Sequence, residues 1–124
     1  MNTPARKLSF PQSRRLTETW QFERVRKEGC AQHGDLLLLA ALAGKGVDRL
    51  RAGFVTSRKI GSAVVRNRVR RRLREIVRKH QHEIVEGRWV VTVARPSAAR
   101  ASYGELEAEW LRLAKRASIL ATRC

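Results

Sequence analysis

The chain of 124 residues predicts a single-domain α+β fold, with helices packed against a small sheet. Three observations carry that expectation. Apolar residues recur at helical spacing in three segments, short apolar or β-branched runs lie between them, and glycine and proline punctuate the joins. The order reads helix, strands, helix, strand, helix, which is the pattern of a helix-and-sheet sandwich. Residues 1–13 carry Pro4 and Pro11 and read as a flexible N-terminal arm, leaving residues 14–124 as the folded domain.

The first helix is capped by Thr17, runs to about residue 27 with Trp20, Phe22 and Val25 among charged residues, and is closed by Gly29. Residues 36–42 form a short, continuous apolar run, the mark of a buried strand. Gly44-Lys45-Gly46-Val47-Asp48 supplies turn chemistry. Residues 51–57 then read as the returning strand of a hairpin, with Ala52, Phe54 and Thr56 on one face and Gly53, Val55 and Ser57 on the other. Ser62 caps a long second helix that runs to about residue 85 and stops at Gly87. Residues 88–95 are a β-branched strand ended by Pro96. Ser102 caps a last helix over residues 103–121, with Leu106, Trp110, Leu113 and Ala117 at helical spacing.

Charge narrows the function classes. Lys and Arg number 27 against 11 acids, a formal net charge of +16 with histidine neutral. Self-repulsion on that scale costs stability unless a polyanion neutralises it, so nucleic acid, an anionic membrane or an acidic protein are the candidate partners. Two cysteines, Cys30 and Cys124, are too few for a disulfide scaffold and fit a reducing, cytoplasmic setting. The N-terminal ten residues lack the apolar region of a secretory signal. No stretch approaches the ~20 apolar residues of a membrane span.

Residues 58–79 hold ten Lys or Arg and one acid, Glu75. On a helical wheel, Val65, Val69, Leu73, Ile76 and Val77 gather within an arc of about 120°. Arg70, Arg71, Arg74, Arg78 and Asn67 gather opposite, and Arg68 and Lys79 extend that polar face. One side therefore packs on the sheet and the other offers a ridge of guanidinium groups. Such a ridge displaces counterions from closely spaced phosphates, and each guanidinium fork matches a phosphate with two bonds. Asn67 adds a neutral donor and acceptor suited to a base edge or a 2′-hydroxyl. A merely solvated basic face would carry interspersed acids, and here they are missing. Arg66 breaks the pattern by falling near the apolar arc. It either serves function or snorkels at the helix end. The segment Ser57-Arg58-Lys59-Ile60-Gly61-Ser62, leading into the helix N-terminus, adds backbone donors and two cations to a phosphate site.

The string from Ser57 through Arg58, Lys59, Ile60, Gly61, Ser62, Ala63, Val64, Val65, Arg66, Asn67, Arg68, Val69 and Arg70 to Arg71 resembles the signature of the bacterial ribonuclease P protein family, centred on the RNR of Arg66-Asn67-Arg68. Weaker similarity covers most of the chain, including Arg15-Leu16, Phe22, Gly29, Arg51-Ala52-Gly53, Ala94-Arg95-Pro96 and Tyr103. The resemblance implies the order αβββαβα, with three helices, a four-stranded mixed sheet and a left-handed βαβ crossover that generic rules disfavour. It adds a short strand near Cys30 that the residue pattern alone misses. It also implies a role in binding a large catalytic RNA and assisting removal of the 5′ leader from precursor tRNA. By matching position, Arg58, Lys59, Arg66, Asn67, Arg68, Arg70, Arg71 and Arg74 are the expected contacts to the catalytic RNA. Arg14, Arg15, Phe22, Arg26, Leu38, Ala40 and Val55 are the expected leader cleft. Arg26 and Ala40 stand where relatives often carry aromatic residues, which weakens base stacking and leans towards phosphate contact. Trp20 either compensates or packs in the core.

Intrinsic catalysis is not expected. Asp35 and Asp48 lie beside turns. Glu105, Glu107 and Glu109 are spaced by two on a helix and read as solvated surface; His80 and His82 diverge on the long helix, and His33 stands alone in a loop. The Mg²⁺ of the RNA partner is expected to supply the chemistry, with no cofactor bound by the protein alone and one protein per RNA. A structural, ribosome-associated RNA-binding protein would share the composition but not the ordered string from Arg58 to Arg71. A helix-turn-helix DNA binder needs two adjacent helices, and a membrane-surface helix would carry Trp or Phe on its apolar arc; the sequence offers neither.

Overall fold

The computed structural model describes residues 14–120. The expected arm at 1–13 and Cys124 lie outside the described residues. Helix α1 (Thr19–Glu28) is followed by β1 (Cys30–His33), β2 (Leu37–Leu42), β3 (Arg51–Thr56), α2 (Ala63–His80), β4 (Trp89–Ala94) and α3 (Tyr103–Arg116). The four strands form one mixed sheet in the order β1-β2-β4-β3. Strand β2 pairs antiparallel with both β1 and β4, and β3 runs parallel to β4. The parallel pair is joined through α2, as such a crossover requires.

The expected hairpin between residues 36–42 and 51–57 does not form, because β4 lies between those strands. Burial explains the order. Strands β2 and β4 are almost wholly buried, whereas β1 is largely exposed and β3 half so. Strands apolar on both faces are satisfied only in the middle of a covered sheet, and the more polar ones take the edges. The real hairpin is β1–β2, with Ala31 opposite Ala40.

Strand alternation divides the core in two. Leu37, Leu39 and Ala41 of β2 join Val90 and Ala94 of β4 under Val69, Leu73, Ile76 and Val77 of α2 and Leu106, Trp110 and Leu113 of α3. On the opposite face, Ala40, Leu42, Trp89 and Val91 pack with Leu16 and Val25, and Phe22 lies against them. Helix α1 thus covers one face of the sheet, and α2 with α3 the other.

The helix ends differ from expectation in instructive ways. Glu18, not Thr17, is the N-cap of α1. The buried Gln21 side chain accepts from the amides of both Thr17 and Glu18, at 2.9 and 3.0 Å. Gly29 closes α1 because a Cβ there would strike the carbonyls of Val25 and Ala41, at 2.5 and 2.7 Å. Ser62 caps α2 as expected, but the helix stops at His80. Beyond a 3₁₀ turn over Gln81–Glu83, Val85 donates to Ile119 at 2.7 Å and Ile84 bridges Leu120. That tertiary pairing overrides the helical pattern that ran to residue 85. Helix α3 keeps its Ser102 cap, reinforced by Glu105. It ends at Arg116 because Ser118 takes a positive φ of 60° and turns Ile119 fully into the core.

Candidate nucleic-acid interface

Helix α2 presents the expected ridge, and the fold holds much of it in place. Val69, Leu73, Ile76 and Val77 are buried, while Asn67 and Arg71 are exposed. The arginines on the flanks are tied down. Arg68 donates to the carbonyl of Ala99 at 3.1 Å and Arg72 to that of Ala101 at 3.0 Å. Arg70 donates to Asn67 Oδ1 at 3.0 Å and to Thr56 Oγ1 at 2.5 Å. Arg66, the residue that broke the wheel pattern, folds back onto the carbonyl of Gly61 at 3.1 Å. Each tether restricts the rotamers open to the side chain it holds. Arg58 and Lys59 stand exposed on the 3₁₀ turn before the helix.

Towards the C-terminal end of α2 the charges are neutralised. Arg78 pairs with Glu75. That bond, more than their mutual attraction, holds the Glu75 carboxyl below its ordinary range and raises Arg78 above its own. Lys79 reaches Glu107 at 3.1 Å. Arg74 behaves differently. Burial first, then the charges of Arg15 and Arg70, lower its pKa.

A cleft of about 370 Å³ opens beneath α1. Of the expected cleft residues, Phe22, Arg26, Leu38, Ala40 and Val55 line it, joined by Val25, Ala31, Val91 and Val93. The wall is overwhelmingly apolar, and Arg26 at its side is exposed. Arg14 and Arg15 are not on its lining. Arg14 pairs with Glu86 at 2.9 Å, and Arg15 lines a second, smaller cavity with Arg70 and Arg74. Trp20 is neither in the cleft nor in the core. It is 56% exposed and meets buried Trp89 edge-on, the ring centroids 5.7 Å apart.

The carboxylates do not cluster. Glu105 caps α3 and Glu107 receives His80 and Lys79. Glu109 is not solvated surface as expected: it is 4% exposed and accepts the amides of Leu36 and Leu37 at 2.6 and 2.7 Å. His33 belongs to strand β1, not a loop, with its Nδ1 3.2 Å from Arg95, and His82 lies in the 3₁₀ turn after α2. Val91 and Val93 were out of reach of sequence reasoning, because only the crossover brings β4 beside β2. Arg72 was within reach, since it follows Arg70 and Arg71 on the same rod.

Comparison with known proteins agrees with this geometry. The family model for ribonuclease P matches residues 10–118. The ribonuclease P protein component of Roseiflexus sp. strain RS-1 is 40% identical over 108 residues, covering 86% of this chain and 87% of that protein. The same component from Acidothermus cellulolyticus is 41% identical over 109 residues, covering 86% and 90%. Among solved structures, the ribonuclease P protein of Thermotoga maritima superposes with a TM-score of 0.73 at 29% identity, over 82% of this chain and 96% of that one. That of Staphylococcus aureus reaches 0.80 at 24% identity, over 86% and 97%, and shares the fold. With its ordered basic helix, mixed sheet and matching relatives, the chain belongs to the ribonuclease P protein family, the RNA-binding protein subunit of the ribonucleoprotein endoribonuclease that matures the 5′ end of tRNA.

Proposed function

We propose that the ridge of α2 meets the catalytic RNA and that the cleft beneath α1 receives the single-stranded 5′ leader of precursor tRNA. The ridge contacts are Arg66, Asn67, Arg68, Arg70, Arg71 and Arg74, with Arg58 and Lys59 on the preceding turn. The observation that carries this reading is the pairing of two unlike surfaces on one small domain: a tethered row of guanidiniums and an apolar cleft walled by Phe22. The first suits the phosphates of a folded RNA. The second suits an unstacked base, since stacking on an aromatic wall is tolerant of sequence.

In this reading the cleavage chemistry belongs to the RNA and its Mg²⁺. The chain supplies positioning and charge neutralisation. Glu105, Glu107 and Glu109, the densest run of acids, are each occupied in holding the fold, which supports that division. One protein per RNA, working in the cytoplasm, completes the proposal. No helix among the described residues is long and apolar enough to cross a membrane.

The test is reconstitution with the catalytic RNA at low Mg²⁺. The polypeptide should accelerate leader removal. Phe22→Ala should lose about tenfold in affinity for precursor tRNA and nothing for mature tRNA. Equal loss for both would remove the leader from the cleft, and cleavage indifferent to the polypeptide would overturn the whole reading.

A further inference from the structure

Gly53 stands inside β3, in register with Val91 of β4 across the parallel pair. It is not among the glycines with positive φ, so its backbone is one that any residue adopts. Glycine inside a strand weakens the strand and marks a place where something lies close to the backbone. Here that object is the ring of Phe22. A Cβ on Gly53 would stand 2.6 Å from Cζ of the ring, closer still to Cε1, and 3.3 Å from Cβ of Leu16. Leu16 is buried, and its amide is bonded to the carbonyl of Ala52 at 2.9 Å. The ring is therefore the part that must yield, by lifting off β3. Phe22 is the aromatic wall of the cleft, whereas Gly53 lines no part of it. Whatever Gly53 does to the cleft, it does through Phe22.

We propose that Gly53 is a positioning residue for leader recognition. Its missing side chain seats the Phe22 ring on β3 and thereby sets the width of the cleft, without contact to RNA. Any side chain at that position moves the wall that an unstacked base meets, and stacking depends on where that wall stands. The leader's part in this rests on the proposed function; the seating of the ring does not.

A double-mutant cycle tests it, with the full chain assembled on the catalytic RNA. Gly53→Ala, Phe22→Ala and the double variant are compared with the wild type for affinity towards precursor and mature tRNA, and for Tm as the free protein. Gly53→Ala should lose about fivefold for precursor tRNA, part of what removal of the ring loses, and nothing for mature tRNA. The double variant should lose no more than Phe22→Ala alone, because the methyl has no ring left to displace. The effect on Tm should change sign. Beside the ring the methyl should lower Tm by overpacking; in the Phe22→Ala background it should raise Tm, since alanine suits a strand better than glycine. A merely structural glycine would lower Tm in both backgrounds and leave discrimination of precursor from mature tRNA untouched. If Gly53→Ala alone fails to fold, the double variant decides: folded and equal to Phe22→Ala, it supports the seat; unfolded, it overturns it. A folded Gly53→Ala with wild-type discrimination would overturn the proposal, as would a loss that adds in full to that of Phe22→Ala or falls equally on mature tRNA. Phe22→Ala without a leader-specific loss would instead remove the leader from the cleft, and the reversal in Tm would still judge the seat.

Discussion

The arginine ridge is mounted on one helix of 18 residues, whereas the cleft beneath α1 is walled by side chains from α1 and all four strands. The ridge needs only a rigid rod with an apolar back. Arg66, Arg68 and Arg72 are each held by a different backbone carbonyl, so the loss of one leaves the others in place. The cleft exists only while five elements keep their register, and a shift in any of them changes its shape. Damage to charge should therefore fall on RNA affinity, and damage to packing should fall first on recognition of the leader.

The largest expected effect separates the two surfaces by charge. Arg66 and Arg68 donate to the carbonyls of Gly61 and Ala99 near the surface, so replacing both with Ala uncovers no core. Unfolding stability should change by no more than about 1 kcal/mol. Affinity for the catalytic RNA should fall about 100-fold, and the slope of log affinity against log salt should flatten by about two. Binding measured across a salt series checks this. An unchanged slope in a folded double variant would mean that the ridge meets no phosphates.

The second effect works through packing. Glu109 of α3 holds the amides of Leu36 and Leu37, immediately before Leu38 and Ala40 on the cleft floor. Glu109→Ala leaves the buried amide of Leu37 and the partly buried amide of Leu36 without that acceptor, at a cost of about 2 kcal/mol by denaturant titration. Precursor tRNA should then be distinguished less well from mature tRNA, while catalytic-RNA affinity stays within about twofold. If both affinities fell together, the two surfaces would not be separable.

The same contrast decides how much could be read from the sequence. The ridge was legible because it depends on one period in one segment, and Val69, Leu73, Ile76 and Val77 face inward as the wheel required. Strand order was not, because it depends on which strands are most buried once assembled, and local turn chemistry favoured a false hairpin across Gly44 and Gly46. Strand β1 has no hydrophobic signal to find: its residues Cys30, Ala31, Gln32 and His33 form an edge held by pairing with β2. Five of the seven expected cleft residues came together only because the family resemblance carried the topology with them. Arg15 was placed with the cleft and is instead beside Arg74, a proximity of residues far apart in the chain that no spacing rule reports.

The smallest effect sits where the ridge is already neutralised. Glu107 of α3 accepts from His80 Nε2 at 2.7 Å and pairs with Lys79 at 3.1 Å, while His80 Nδ1 faces Glu83 at 2.9 Å. The His80 bond, aided by Lys79 and opposed by burial, holds the Glu107 carboxyl below its ordinary value of 4.5. A carboxyl depressed in the folded state contributes stability above its unfolded pKa and loses that contribution as pH falls through the folded one. Glu107→Gln should therefore cost under about 1 kcal/mol at neutral pH, and the difference from the wild type should shrink once the pH drops below 4.5. Denaturant unfolding at both pH values measures it. A deficit as large in acid as at neutrality would assign the contact to packing between α2 and α3 instead of charge. Because this clamp touches only the end of the ridge, neither leader discrimination nor the salt slope should move.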